Sequence, residues 1–153
     1  MTGSPRVVLS TKTPKNYAAL RTLQETVANG AAEAGLENVL VDLVNTRASQ
    51  INGCAFCLDM HTKEARENGE SEQRLHALVA WRESPFFTRR ERAALALTEA
   101  VTLIHGDQLP DEVYSAAEAE FDGDELSQLL WVVIVINSLN RVAISSRLRP
   151  ARS

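Results

Sequence analysis

Aromatic side chains are scarce in this chain: two Trp, two Tyr and four Phe account for 5 % of 153 residues. The core must therefore rest on Leu, Val, Ile and Ala, a mixture that favours helices packed on helices, and strand-like alternation is rare. Long apolar runs are missing as well. The most apolar stretch, Leu129 to Ile136, is far too short to span a bilayer. The first sixteen residues carry Arg6, Lys12 and Lys15 among Ser, Thr and Pro, which does not resemble a signal peptide. Positive charge is not in excess. A net charge of -4 and a pI near 5.4 argue against general affinity for nucleic acid or an anionic membrane. The basic cluster Arg147, Arg149 and Arg152 sits in a short tail and reads as a frayed, solvated end.

Cysteine is scarcer still. Cys54 and Cys57 lie three residues apart, so neither can staple distant parts of the fold. In a cytoplasmic protein, the location expected here, that usage points to redox chemistry or metal binding rather than a structural disulfide. What remains is ordinary for a soluble globular protein, with 44 % hydrophobic and 24 % charged residues. The length fits a single domain over residues 1–153, without internal repeats, low-complexity segments or linkers.

Start and stop signals divide the chain into helices. Thr13 followed by Pro14 caps and opens one that carries Tyr17, Leu20, Leu23, Val27 and Ala31 at helical spacing to about Glu33, with Gly35 ending it. A second runs from about Glu37 to Ile51 and is broken by Asn52-Gly53. A third starts near Cys54 and ends at Asn68-Gly69, so the cysteines fall in its first turn. Others are expected from about Glu72 to Arg82, from a Thr88–Glu91 capping box to about Ile104, and from Pro110 to about Glu120. A last one, from an Asp122–Glu125 capping box, extends into the 140s, with Val132 to Ile136 as a buried face. Trp81 and Trp131 are read as core or interface anchors.

Chemistry concentrates at the cysteines. A thiol reacts with peroxide or disulfide as its thiolate, and helix N-terminal amides favour that negative charge. At a spacing of three the two sulfurs share a face and can close a short disulfide. His61, four residues after Cys57, stands above it and can hold or deliver a proton. Such a pair supports a peroxidase cycle in which one thiolate forms a sulfenic acid and the other resolves it. Two bland alternatives stand beside this: a pair of small buried hydrophobes, or a zinc site. A closed zinc site needs a fourth ligand, and neither His76 nor His105 has ligand spacing to this helix. Leu58 directly after Cys57 excludes haem attachment.

The segment Ser49-Gln50-Ile51-Asn52-Gly53-Cys54-Ala55-Phe56-Cys57-Leu58-Asp59-Met60-His61-Thr62-Lys63-Glu64-Ala65-Arg66 resembles the core of the AhpD-like alkylhydroperoxidases, within the carboxymuconolactone decarboxylase family. The resemblance continues through Pro85-Phe86-Phe87-Thr88 and Glu91-Arg92-Ala93-Ala94-Leu95-Ala96 to Ile136-Asn137 and Asn140-Arg141-Val142-Ala143-Ile144, covering about residues 37–148. It implies an all-α, AhpD-like helical domain that is oligomeric, a trimer or hexamer, with no cofactor and no metal. It also implies that Cys57 attacks the peroxide and Cys54 resolves, with an external dithiol or thiol as reductant. The family's proton relay uses a Glu twelve residues before the first cysteine, a His just before the second, and the later His. Here Asp42 and Phe56 stand at the first two positions and His61 at the third. Asp42 keeps the carboxylate at shorter reach, and a water could bridge it to the thiols; Phe56 cannot move protons. The resulting candidate catalytic set is Cys57, Cys54, His61 and Asp42. Asn52 and Gly53 are read as backbone turn residues, and Asn137, Asn140 and Arg141 as helix or subunit contacts. Two other functions stay open: a redox-sensing oligomer with negligible turnover, and a lactone decarboxylase, whose acid–base chemistry does not need paired thiols.

Overall fold

The computed structural model describes residues 5–151 and contains only helices among them. They are α1 (Leu9–Lys12), α2 (Pro14–Glu33), α3 (Asn38–Asn52), α4 (Ala55–Glu67), α5 (Glu72–Ala77), α6 (Arg89–Thr102), α7 (Asp111–Glu118) and α8 (Gly123–Ser145), with a 3-10 turn at Leu78–Ala80 after α5. Arg152 of the basic tail lies outside the described residues.

The local chemistry explains most of the boundaries. The Thr88–Glu91 and Asp122–Glu125 capping boxes are both formed, side chain to backbone in each direction, which satisfies amides that a helix start leaves free. Thr13 behaves differently from expectation. Its hydroxyl donates to the Leu9 carbonyl (3.0 Å), which also accepts the Thr13 amide at the end of the short helix α1, rather than capping α2. The helix expected to reach Arg82 tightens into the 3-10 turn after Ala77, and Pro110 sits at the N-cap of α7, not within it.

Helix α8 is the centre of the bundle. Leu126, Leu129, Val132, Val133, Val135 and Ile136 are buried against α2, α3, α6 and α7, in a core that also takes Val27, Leu40, Val44, Leu97 and Phe121. Burying each such aliphatic is worth about 1.5–3 kcal/mol. With 23 residues, α8 is long and apolar enough to cross a bilayer by length and composition alone, which the short run Leu129 to Ile136 did not suggest; in this fold it is the central helix of a bundle. At Gly30 of α2 the Gln128 amide of α8 fills the space a side chain would take; a Cβ there would come within 2.7 Å of it and push it aside. A second cluster joins Leu43, Leu78, Trp81, Phe87 and Leu95. Trp81 is thus a core residue, whereas Trp131 is 46 % exposed on the outer face of α8.

Candidate active site

The cysteine turn is built by the end of α3. Gly53 takes a left-handed backbone (φ 69°), a conformation glycine adopts at no steric cost. That lets the Gly53 amide donate to the Gln50 carbonyl (3.2 Å) and the Cys54 amide to the Ser49 carbonyl (3.0 Å), the paired closure of a Schellman cap. The chain then reverses, and Cys54 becomes the N-cap of α4. Its Sγ accepts from the Cys57 amide (3.3 Å), and the two sulfurs are joined as a disulfide, with Cα atoms 5.3 Å apart.

The turn is pinned from α8 by a polar network. Asn140, fully buried, donates from Nδ2 to Ser49 Oγ (3.0 Å) and accepts at Oδ1 from Asn52 Nδ2 (2.9 Å). Asn52 Nδ2 also reaches Asn137 Oδ1 (2.9 Å), and Asn137 Nδ2 donates to Thr102 Oγ1 (3.0 Å). Asn52 is therefore more than the backbone turn residue expected. Its amide, alongside the Ser49 hydroxyl, ties α3 to α8. Beyond it, Ala143 and Leu148 pack on the cysteine pair, Leu148 being turned inward by a left-handed Arg147 (φ 53°).

Cys57 and His61 line a cavity of about 310 Å³ together with Phe56 and Met60 of α4, Tyr17 and Arg21 of α2, and Leu139 of α8. Cys54 is not among the lining residues. A smaller cavity of about 60 Å³ continues past His61 toward Gln24 and Asn45. Cys54 and Cys57 are nearly closed off, at 2 % and 3 % exposure, and His61 is equally buried. The His61 Nδ1 is 2.8 Å from Glu64 Oε2, while Nε2 is buried without a hydrogen-bond partner. Glu64 was not picked out in the sequence, although its position three residues after His61 is the signal that finds it. The hydrogen bond to His61 holds its carboxyl below the usual carboxylate range, against the opposing effect of burial.

Asp42 bonds elsewhere, although its charge is felt by both His61 and Glu64. It is buried, and its Oδ2 accepts from Asn68 Nδ2 (2.7 Å) at the far end of α4. Burial pushes its carboxyl above the usual range, and the Asn68 hydrogen bond offsets this only in part. Phe56 packs on the cysteine pair and lines the cavity, adding apolar surface where the family relay has a histidine. No group of three His, Cys, Asp or Glu side chains among the described residues is arranged to hold a metal ion. His76 lies at the surface near Glu72, and His105 is exposed. Tyr17 and Arg21 come from α2, ahead of the stretch in which the sequence itself showed the resemblance, about residues 37–148.

Comparison with known proteins places the sequence and fold in a family. The model of the carboxymuconolactone decarboxylase family matches residues 14–100. The uncharacterized protein YdfG of Bacillus subtilis is 41 % identical over 119 residues, covering 78 % of this chain and 81 % of that protein. A solved structure of a protein of unknown function from Agrobacterium tumefaciens, proposed by name to be the antioxidant defence protein AhpD, superposes with a TM-score of 0.88 at 37 % identity, covering 97 % of this chain and all of that one. A peroxidase-related protein from a Silicibacter species shares the fold, with a TM-score of 0.77 at 20 % identity over 91 % of this chain and 72 % of its own.

Proposed function

Because this chain belongs to the carboxymuconolactone decarboxylase family, with an AhpD-like fold, we propose that it is a thiol-dependent peroxidase that cycles the Cys54–Cys57 pair. The observation that carries this is the asymmetry of the pair: Cys57 shares the cavity with His61, and Cys54 sits behind it at the N-cap of α4. In the reduced protein His61 Nε2, which has no other partner, takes the Cys57 proton. The Cys57 thiolate attacks one peroxide oxygen, the O–O bond breaks, and the leaving alkoxide takes the proton back to depart as an alcohol. Cys57 is then a sulfenic acid. The Cys54 thiol attacks its sulfur, water leaves, and the disulfide forms. An external dithiol or thiol restores both thiols with two electrons. Net, one peroxide and one dithiol become alcohol, water and disulfide. A reducing compartment such as the cytoplasm suits this cycle.

The protein works as a homo-oligomer, a trimer or hexamer. The support is an outward apolar face on α8 and α2, where Trp131, Ile134, Ile144 and Leu23 are exposed at 46, 43, 40 and 37 %. Light scattering should give a mass well above 16.8 kDa. The function is tested by steady-state consumption of alkyl hydroperoxides with dihydrolipoamide or dithiothreitol as donor. Turnover that vanishes in C57S supports the assignment. A disulfide that forms and reduces without peroxide consumption overturns it in favour of a redox-responsive oligomer.

A further inference from the structure

Building on the thiol-redox assignment above, we propose that the carboxylate working with His61 is Glu64, on the next turn of α4, and that Asp42, which occupies the expected relay position, has been released to a structural task. Three observations converge. Glu64 Oε2 lies 2.8 Å from His61 Nδ1. His61 Nε2 is buried and unpartnered, and His61 lines the same cavity as Cys57. The Asp42 carboxylate is instead engaged by Asn68 at the other end of α4. A carboxylate acceptor at Nδ1 selects the tautomer with the proton on that nitrogen, which leaves the Nε2 lone pair free to take a proton. When His61 takes the Cys57 proton, Glu64 supplies the balancing negative charge, as the third member of a nucleophile–histidine–carboxylate series. Asp42 is poorly suited to that work. Its carboxylate oxygen is committed to the Asn68 amide at 2.7 Å, whereas Glu64 meets the imidazole directly.

The shift from α3 to α4 has a geometric reason. An aspartate is one methylene shorter than the glutamate expected at this position, and its reach is spent on Asn68. Glu64 sits one turn from His61 on the same helix, so its approach does not depend on how α3 packs. Its side chain is 47 % exposed, which connects the buried imidazole to solvent and gives the proton a way out. The charged and titratable groups around the imidazole are few: Glu64 from α4, Asp42 from α3, and Tyr17 and Arg21 from α2. Helix α8 adds only Ile136, Leu139, Val142 and Ala143 to this cavity. Glu64 is thus a positioning residue, acting on Cys57 through His61.

The test uses the full-length reduced protein in a C54S background, where Cys57 is the one remaining thiol. Its alkylation by iodoacetamide is followed by mass spectrometry from pH 5 to 9, with E64Q and D42N added separately. The expected result is that E64Q moves the alkylation profile up by about one pH unit, a rate about tenfold lower below the midpoint, the low end for loss of a neighbouring opposite charge because Glu64 is half exposed. D42N, which removes only a through-space charge near His61, moves the profile by clearly less than E64Q does. E64Q is isosteric on an exposed turn, and equal far-UV circular dichroism confirms its fold. A profile that moves in D42N as far as in E64Q, or one that moves in neither variant, overturns the assignment. Peroxide does not enter the measurement, so the two conclusions separate. A Glu64-dependent profile in a protein without turnover refutes the peroxidase function and retains the pair; turnover with a profile indifferent to Glu64 does the reverse.

Discussion

Replacing Asn140 by Ala tests whether the cysteine turn is held from α8. Asn140 is fully buried and makes two side-chain hydrogen bonds, one to each of two residues near the end of α3. In N140A the Asn52 amide keeps Asn137 Oδ1, but Ser49 Oγ, itself buried, loses its donor. An orphaned buried polar group costs about 1–3 kcal/mol, and the missing amide leaves space that adds to this. The sum is a destabilisation of about 2–4 kcal/mol, which in a chain of this size lowers Tm by roughly 5–15 °C. Urea unfolding of the reduced protein followed by circular dichroism should show the midpoint falling with the slope unchanged. N52A, N140A and the double variant should give a coupling of about 1 kcal/mol or more. Because Gly53 and Cys54 directly follow Asn52, N140A should also raise the reactivity of the reduced thiols toward a bulky aromatic disulfide. A loss below about 0.5 kcal/mol with additive variants would refute the reasoning and make the network incidental.

Other substitutions probe separate parts of the structure. D42N should stabilise the protein at neutral pH, since it removes a buried charge while the oxygen of the new side-chain amide can still accept from Asn68. The folded-state value of Asp42 is raised above 3.8, so ionisation costs stability as pH rises through that interval. The advantage of D42N should therefore be complete above the raised value and vanish below the ordinary one; thermal melts from pH 3 to 8 check this, and an advantage that grows on acidification would contradict it. Arg147 closes α8 in a left-handed conformation without being glycine, so R147G should gain about 1 kcal/mol in chemical denaturation, while Leu148 stays on the cysteine pair. Thr88 closes a capping box at α6, and T88A should lose about 1 kcal/mol in the same assay.

Much of the architecture could be read along the chain because it is encoded locally. Thr88 and Asp122 each cap within three residues, and Asn52-Gly53 breaks the backbone at the cysteine turn, so α3, α4, α6 and α8 fall where those signals place them. Helix α1 was not legible: four residues have no periodicity to show, and its attachment, the Leu9 amide on Ser146 Oγ at 3.1 Å, joins opposite ends of the chain. The cysteines and His61 were visible because they lie within eight residues on one helix. What surrounds them comes from elsewhere. Tyr17 and Arg21 reach the cavity only because α2 lies across α8, and the Asn52–Asn137–Asn140 network spans eighty-eight residues of sequence, which no local pattern reports. Asp42 illustrates the converse. Its offset from Cys54 matched the family relay, yet the competing partner, Asn68, is a helix-end residue whose proximity depends on how α3 and α4 pack.

The central claim, that Cys57 is the peroxide-reactive sulfur and Cys54 its resolving partner, is tested most directly by trapping the sulfenic acid. C54S and C57S, both reduced, are treated with one equivalent of an alkyl hydroperoxide in the presence of dimedone and mapped by peptide mass spectrometry. The cavity placement of Cys57 beside His61 predicts an adduct on Cys57 in C54S and none on Cys54 in C57S. An adduct on Cys54 alone would contradict it, and would mean that the Cys57 amide at the N-cap sulfur, 3.3 Å away, outweighs the cavity and His61 in choosing the nucleophile.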